Sequence, residues 1–179
     1  MGASGLGMLL VKEGFLTEQD RATITKTCGQ GSWAFAKSIL AIGLLDEDEL
    51  AAFFAERTKY SIAPKDFLSQ LDHNALQSFD KRMLSRLEIL PIRRDDDKIT
   101  VAVVDPLDKS TLKQLEFFTG LNVVPVIVPL SQLYEGLMRV NSEFQPSYTA
   151  LSQFLQNHVG SAWVRQRVQA EDLSDTRPH

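Results

Sequence analysis

The stretch Leu87–Asp108, LEILPIRRDDDKITVAVVDPLD, sets the architecture of the second half of the chain. Leu87, Ile89 and Pro91 alternate with Glu88, Leu90 and Ile92. The charged cluster DDDK follows, and then the β-branched run ITVAVV, a pattern typical of a β-hairpin. The run ends at Asp105-Pro106, and an aspartate before a proline favours a turn. The stretch therefore predicts two paired strands that lead into a turn.

Asp105 and Asp108 have three candidate roles: a catalytic acid pair, a metal site, or a turn followed by a helix cap. The carboxyl end of a strand is where α/β proteins often place functional groups. However, no third acid, lysine or threonine stands at a recognisable spacing to complete a phosphoacceptor or metal site. Asp108 is well placed to cap the next helix. We therefore interpret the two residues as a turn and a cap.

The flanking segments continue this alternation of strands and helices. A helix is predicted from Asp72 to about Ser85, and a second one from Asp108 or Ser110 to a glycine at position 120. The segment NVVPVIVP predicts a third strand, whose prolines suit a sheet edge or a strand end. Ser131 is predicted to cap the helix after it. Together these elements form a small three-stranded α/β sandwich.

The first sixty residues contain an internal repeat. When Gly14 is laid over Gly43, 29 residues later, LLVKEGFLTEQDRATI falls on SILAIGLLDEDELAAF with most apolar positions in register. Each copy predicts a short helix ended by glycine, a capping residue (Thr17 or Asp46) and a second helix. An acid three places after each cap completes a capping-box pattern. Two helical hairpins followed by the sandwich make the predicted fold class α+β.

Composition excludes several functions. The 179-residue chain is 44% hydrophobic and 23% charged, as in ordinary globular proteins. Its net charge of −4 argues against a nucleic-acid partner, which would be bound mainly through phosphates. The single cysteine, Cys28, excludes an internal disulfide and fits a reducing compartment. No apolar run is long enough to cross a bilayer, so no direct membrane insertion is predicted.

The sequence contains no motif for catalysis. The phosphate loop G-x-x-x-x-G-K-[ST] is absent, and Gly5 and Gly7 lack the third glycine of a dinucleotide fingerprint. The three histidines lie far apart, which argues against zinc. We assign a structural or solvated role to Lys81, Arg82 and Arg86, near a predicted helix end, rather than an anion site. The prediction is a protein that is not an enzyme, with no catalytic residue, metal or cofactor.

In their order, these elements resemble the N-terminal domain of type II secretion and type IV pilus assembly ATPases, the protein E family. The resemblance is strongest from Ile89 to Leu137: an LPI strand, a strand running into VVDPLD, a helix ending in Phe118-Thr119-Gly120, and VVPVIVPLSQLYEGL. It extends over about Leu6 to Val140. It implies the fold described above.

Relatives that bind cyclic di-GMP carry two motifs of the form Arg-Leu-Gly-x-x-Leu-Val-x-x-Gly in the helical half. The resemblance implies that such a ligand would contact six residues: Leu6, Gly7, Leu10, Gly14, Leu40 and Gly43. Gly5 and Ala34 stand where the two arginines are expected. Because arginine supplies a bidentate charged contact, its loss should weaken the site severely.

The resemblance implies a non-catalytic interaction or regulatory module of a type II secretion or type IV pilus system. It would dock onto the cytoplasmic part of an inner-membrane component, as the front end of a secretion ATPase or as an adaptor, through exposed apolar surface on its helical half. The alternative is a cyclic di-GMP receptor. The expected location is cytoplasmic, peripheral to the inner membrane through a partner. We expect a helical subdomain at 1–60, an α/β subdomain at 61–145, and a C-terminal helix and polar tail or linker at 146–179.

Overall fold

The computed structural model of the protein describes residues 3–28 and 31–144, and its fold confirms the predicted α+β class. One hydrophobic core runs through the helical half and the sheet. The predicted C-terminal helix and tail lie outside the described residues. The elements in chain order are α1 Ala3–Lys12, α2 Glu18–Thr27, α3 Ser32–Ala41, α4 Glu47–Thr58, α5 His73–Gln77, α6 Lys81–Leu87, β1 Leu90–Arg94, β2 Lys98–Val103, α7 Lys109–Thr119, β3 Asn122–Ile127 and α8 Leu130–Val140.

The helical half contains the same hairpin twice, as the repeat predicts. Helices α1 and α3, and the first residues of α2 and α4, are each 29 residues apart. Thr17 and Asp46 cap α2 and α4 by accepting a bond from the backbone N–H three residues on, where Asp20 and Glu49 complete the capping boxes. Helix α1 packs against both α2 and α3. The two hairpins therefore bury their apolar faces on each other.

The sheet has the strand order β1-β2-β3. Strands β1 and β2 pair antiparallel across the charged turn, and β3 pairs parallel with β2 after the α7 crossover. Strand β3 lies at the edge of the sheet, as its prolines predict. The chain at 61–63 runs along that edge, where Ile62 forms a bridge with Ile127. This extended segment connects the helical half to the sheet.

The prediction of one continuous helix from Asp72 to about Ser85 is wrong, because the segment contains two separate helices. Asp72 is a cap, as predicted, but the helix that it starts, α5, has only five residues. Asp80 then starts α6, because its carboxylate accepts a hydrogen bond from the N–H of Arg82. The side chain of Phe79, between the two helices, is buried. Two short capped helices therefore replace one long helix.

The predicted cap of α8 is also wrong. Helix α8 begins one residue before Ser131, after Pro129, and has no side-chain cap of its own. The N–H and the hydroxyl of Ser131 instead donate to the carboxylate of Glu47, at 2.9 and 2.7 Å. Glu47 lies in the first turn of α4. A carboxylate at a helix N-terminus is favourable. Glu47 of the helical half therefore provides the hydrogen-bond acceptor that no residue next to α8 provides.

Gly136 marks the place where α8 packs against β1, and we expect Gly136→Ala to lower the free energy of unfolding by about 2 kcal/mol. Alanine normally favours a helix over glycine by about 1 kcal/mol. Here, however, an added Cβ would collide with Leu90 and lie 2.8 Å from Cδ2 of Leu68. Urea unfolding measures the change, with Gln132→Ala on the same helix as a near-neutral control. A stabilised Gly136→Ala variant would contradict this packing.

Candidate functional site

Three of the six implied ligand contacts are core residues. Leu6, Leu10 and Leu40 are completely buried in the hydrophobic core. Leu6 and Leu10 lie one helical turn apart on α1, the helix that packs against α2 and α3. A ligand at the surface could reach these side chains only if the helices separated.

Gly7 is buried as well, beneath side chains of α2 and α3. A Cβ at this position would lie 2.8 Å from Cγ of Arg21 and 2.9 Å from Cζ of Phe35. Both distances are well below ordinary carbon–carbon contact, so one group would have to move. The bare Cα of Gly7 therefore lets the neighbouring helices approach α1, and protein atoms already fill the space that a ligand would need.

Gly14 and Gly43 occupy equivalent exposed turns. Their φ angles are 82° and 74°, a left-handed conformation that glycine adopts at little cost. The residues that follow them, Phe15 and Leu44, each donate a backbone hydrogen bond to the carbonyl five residues earlier, at 2.9 and 3.2 Å. The two turns therefore share one geometry, although their flanking sequences differ.

The helical half exposes several large apolar side chains around these turns: Met8, Phe15, Ile42 and Leu44. The ring of Phe15 packs edge-on against Phe53, with centroids 5.8 Å apart, which holds it in place. Exposed apolar side chains of this size are common where a protein contacts a partner. These side chains are the exposed apolar surface of the helical half.

The structure confirms Asp105 and Asp108 as a turn and a cap. Oδ1 of Asp105 accepts a hydrogen bond from the N–H of Leu107 at 2.9 Å. The carboxylate of Asp108 accepts from the N–H and the hydroxyl of Thr111, at 3.4 and 2.6 Å, as the N-cap of α7. Within residues 3–28 and 31–144, no group of three or more His, Cys, Asp or Glu side chains is placed to hold a metal ion.

Asp105 is nevertheless an unusual carboxyl group. Its burial raises the pKa to about 6, with a smaller contribution from the charge of Asp108. The hydroxyl of Ser32 and the N–H of Leu107 favour the ionised form and oppose this shift. Yet neither Oδ2 of Asp105 nor Oγ of Ser32 completes a hydrogen bond among the described residues. The carboxyl of Asp105 therefore lies near Ser32, the first residue of α3, and its Oδ2 has no hydrogen-bond partner among the described residues.

Glu88 joins the two halves of the molecule, a role that its sequence context does not indicate. Its Oε2 accepts from Nε1 of Trp33 at 2.6 Å and Nζ of Lys37 at 2.8 Å, and its Oε1 accepts from the hydroxyl of Tyr134 at 2.9 Å. Burial first, and the nearby Glu88 charge second, raise the pKa of Tyr134 well above its ordinary value, so the hydroxyl stays protonated. The donors lie 46 to 55 residues away in sequence, and no local motif indicates such a cluster.

A small cavity separates the Glu88 cluster from Asp105. Its volume is about 10 Å³, and its lining includes Trp33, Glu88, Asp105 and Asp108. This is room for about one water molecule, whereas ligand pockets usually measure about 300–1,000 Å³. These polar groups therefore form a joint between the two halves and not a pocket for a small molecule.

The packing role of Gly7 predicts that Gly7→Ala lowers the free energy of unfolding by about 1–2 kcal/mol. The added methyl group would push Phe35 and Arg21 away from α1. Thermal unfolding measures the loss, and Met8→Ala, at the exposed neighbouring position, should have a much smaller effect. Unchanged stability of Gly7→Ala would show that the space beside this glycine is free.

Comparison with known proteins connects this architecture to secretion and pilus ATPases. Residues 64–145 match the MshEN domain family. Over 143 residues, 79% of the chain, the sequence is 23% identical to the type IV pilus assembly ATPase PilB of Myxococcus xanthus strain DK1622, and it spans a quarter of that protein's length (25%).

Two solved structures have a similar fold. A structure of MshE with cdg (cyclic di-GMP) is 26% identical, with a TM-score of 0.59 over 76% of this chain and 98% of that chain. A structure of the N-terminal domain of XpsE is 19% identical, with a TM-score of 0.62 over 75% of this chain and 92% of that chain. The likeness to XpsE concerns the fold alone.

The repeated hairpins and the small mixed sheet define a class, the N-terminal domains of type II secretion and type IV pilus assembly ATPases, as the resemblance predicts. Within the chain, residues 64–145 are the part that matches the MshEN domain family. A domain of this class is a regulatory or interaction module of such a machine. Among the described helices, none has the length and apolar character to cross a membrane.

Proposed function

We propose that the chain is a non-catalytic module that docks onto the cytoplasmic part of an inner-membrane component of a type II secretion or type IV pilus machine. One observation carries this choice: the residues of the nucleotide motif are used for packing. Leu6 and Leu10 lie in the core, and Gly7 lies beneath Arg21 and Phe35. The surface around the repeat turns still exposes large apolar side chains that a protein partner can cover.

The absence of catalysis is part of this proposal. Asp105 and Asp108, the carboxylates nearest to a candidate acid pair, are engaged as a turn and a cap. We place the module in the cytoplasm, peripheral to the inner membrane through its partner. It would work as the front end of a secretion ATPase or as an adaptor.

We also propose the division into a helical subdomain at 1–60 and an α/β subdomain at 61–145, with 146–179 following. The start of the MshEN match at residue 64 and the extended segment at 61–63 support the first boundary. Because one hydrophobic core includes residues of both subdomains, we expect the two subdomains to unfold in a single transition.

Photo-cross-linking in cells tests the docking. A benzoylphenylalanine at the exposed position of Ile42 should cross-link to an inner-membrane protein of the secretion or pilus machine, identified by mass spectrometry. The same probe at Glu56, an exposed polar position on α4, serves as the control. Cross-links only to proteins outside these machines would contradict the proposal.

The second candidate function is a cyclic di-GMP receptor, and Arg21 favours it. The matched MshE structure contains this ligand, but the arginine positions of the motif are lost here. Arg21 reaches over Gly7 from α2, so a guanidinium is available from another helix. It forms an ion pair with Glu18 on the surface, which a phosphate would have to displace.

Calorimetric titration with cyclic di-GMP separates the two functions. The docking proposal predicts no saturable heat at nucleotide concentrations up to about 100 μM. Saturable binding at micromolar affinity or tighter would favour the receptor, in particular if Arg21→Ala abolished it while Lys26→Ala, an exposed basic control on the same helix, did not.

A further inference from the structure

A surface groove of about 530 Å³ lies between α6 and α7, in the α/β half of the molecule. It contains none of the residues implied as ligand contacts and none of the apolar side chains exposed around the repeat turns. Three of its lining side chains are apolar and four are polar or charged: Met83, Phe117 and Phe118, and Asp80, Arg82, Arg86 and Gln114.

Phe117 and Phe118 give the groove its apolar surface. Phe117 is 92% exposed and Phe118 is 59% exposed. The ring of Phe118 stacks on the buried Phe79, with centroids 6.4 Å apart and planes inclined by 19°, so it is anchored. Phe117 has no such ring contact within the described residues. Covering this pair of rings would remove a large apolar area from water.

Arg82 and Arg86 give the groove its charge. Both are exposed, lie one turn apart on α6, and form no ion pair in the part of the chain that the structure describes. A position near a helix end predicts a structural or solvated role for them. Arg82, however, lies in the first turn of α6, where a cation opposes the helix dipole. Stabilisation of α6 therefore does not explain why an arginine stands at position 82.

The charge around the groove is positive although the chain carries a net charge of −4. The acid of the groove, Asp80, is engaged with the N–H of Arg82 as a helix cap. Lys113 adds a further exposed cation one turn before Phe117 on α7. Aromatic residues and arginine are enriched at protein–protein interfaces, and arginine is among the residues that contribute most to binding energy.

We propose that the α6–α7 groove binds a peptide segment of a protein partner in which acidic residues flank a large apolar side chain, an inference that rests on the docking function proposed above. The apolar side chain packs against Phe117 and Phe118. Its neighbouring carboxylates pair with Arg82 and Arg86, whose planar guanidinium groups bind carboxylates bidentately. The concave shape fits a peptide better than a flat anionic membrane.

A random peptide library displayed on phage and panned against the full chain tests this proposal. We expect the enriched peptides to be acidic and to share a leucine or aromatic residue. A synthetic copy of an enriched peptide, followed by fluorescence anisotropy, should bind Phe117→Ala at least about tenfold more weakly. Arg82→Glu with Arg86→Glu should weaken it by a similar factor, whereas Lys26→Glu, an exposed change in the helical half, should leave it unchanged.

The proposal is overturned if no peptide is enriched, if the enriched peptides are neutral or basic, or if they bind Phe117→Ala as tightly as the wild type. Peptides that bind Phe117→Ala equally well would keep the docking function but place it elsewhere. Sedimentation with vesicles of phosphatidylglycerol and phosphatidylcholine is the second arm. Binding of the wild type to these vesicles that Phe117→Ala lacks would identify a membrane contact and overturn the peptide proposal.

Discussion

Glu88→Ala is expected to lower the free energy of unfolding by about 3 kcal/mol. Alanine removes the acceptor of three donors at once, on Trp33, Lys37 and Tyr134. The side chain of Tyr134 is 3% exposed, so its hydroxyl cannot turn to water, and an unsatisfied buried donor costs about 1–3 kcal/mol. Lys37 contributes less, because its side chain is 34% exposed and its ion pair is partly screened.

Urea unfolding followed by circular dichroism measures this loss, and the indole N–H resonance of Trp33 reports on the joint directly. Glu88→Gln has nearly the same shape and keeps one acceptor, so it should lose less stability than the alanine variant. Glu135→Ala is the control, because it breaks only a surface pair with Arg139 and should cost less than about 0.5 kcal/mol. Equal losses in Glu88→Ala and Glu135→Ala would show that the Glu88 cluster does not hold the halves together.

Helix starts and turns were predictable from the sequence because their bonds are local. Thr17, Asp46 and Asp108 cap their helices by bonds to amides three residues away, so a few letters contain the whole signal. The turn at Asp105 is set by a bond to an N–H two residues on. The same locality explains why the two copies of the repeat form equivalent turns.

Long-range contacts account for what the sequence could not indicate. Ser131 has the residue type and position of a cap, but Glu47, 84 residues earlier, satisfies its N–H and hydroxyl. Glu88 likewise acts through donors on two other helices. Such pairs depend on how the halves pack, and no spacing rule encodes that packing.

Whether the candidate ligand residues are accessible also depends on long-range packing. A motif assigns Leu6 and Gly7 by their position in the sequence, whereas their accessibility depends on the packing of α1 against α2 and α3. On α7, Leu115 is fully buried, whereas Phe118, three residues later, stays largely exposed. The periodicity of a helix indicates a face, and the neighbouring elements decide how much of that face is covered.

We expect the buried carboxyl of Asp105 to make the protein more stable as the pH falls from 7 to about 4.5, and Asp105→Asn to remove this contribution. Burial raises the folded-state pKa to about 6, above the ordinary value of 3.8. Between these values the folded state keeps a proton that the unfolded state releases. The free energy of unfolding therefore falls as the pH rises through this window, by about 3 kcal/mol at most.

The variant and the wild type have to be compared at each pH, because other carboxyl groups titrate in both. Hydrogen bonds from Thr17 to Asp20, and from the N–H of Arg94 to Asp72, lower the pKa values of these two acids. Their stabilising contacts are lost only at lower pH, below about 4. Urea unfolding between pH 4.5 and 7 therefore isolates the contribution of Asp105.

At pH 7, Asp105→Asn should be more stable than the wild type, because the amide stays neutral and its NH₂ group can donate to the unsatisfied hydroxyl of Ser32. At pH 4.5 the two proteins should converge, since the wild-type carboxyl is then protonated in the folded state. Asp96→Asn, an exposed change in the β1–β2 turn, should follow the wild type throughout. Parallel profiles for Asp105→Asn and the wild type would mean that Asp105 stays ionised at the joint, with water or another donor satisfying its free oxygen.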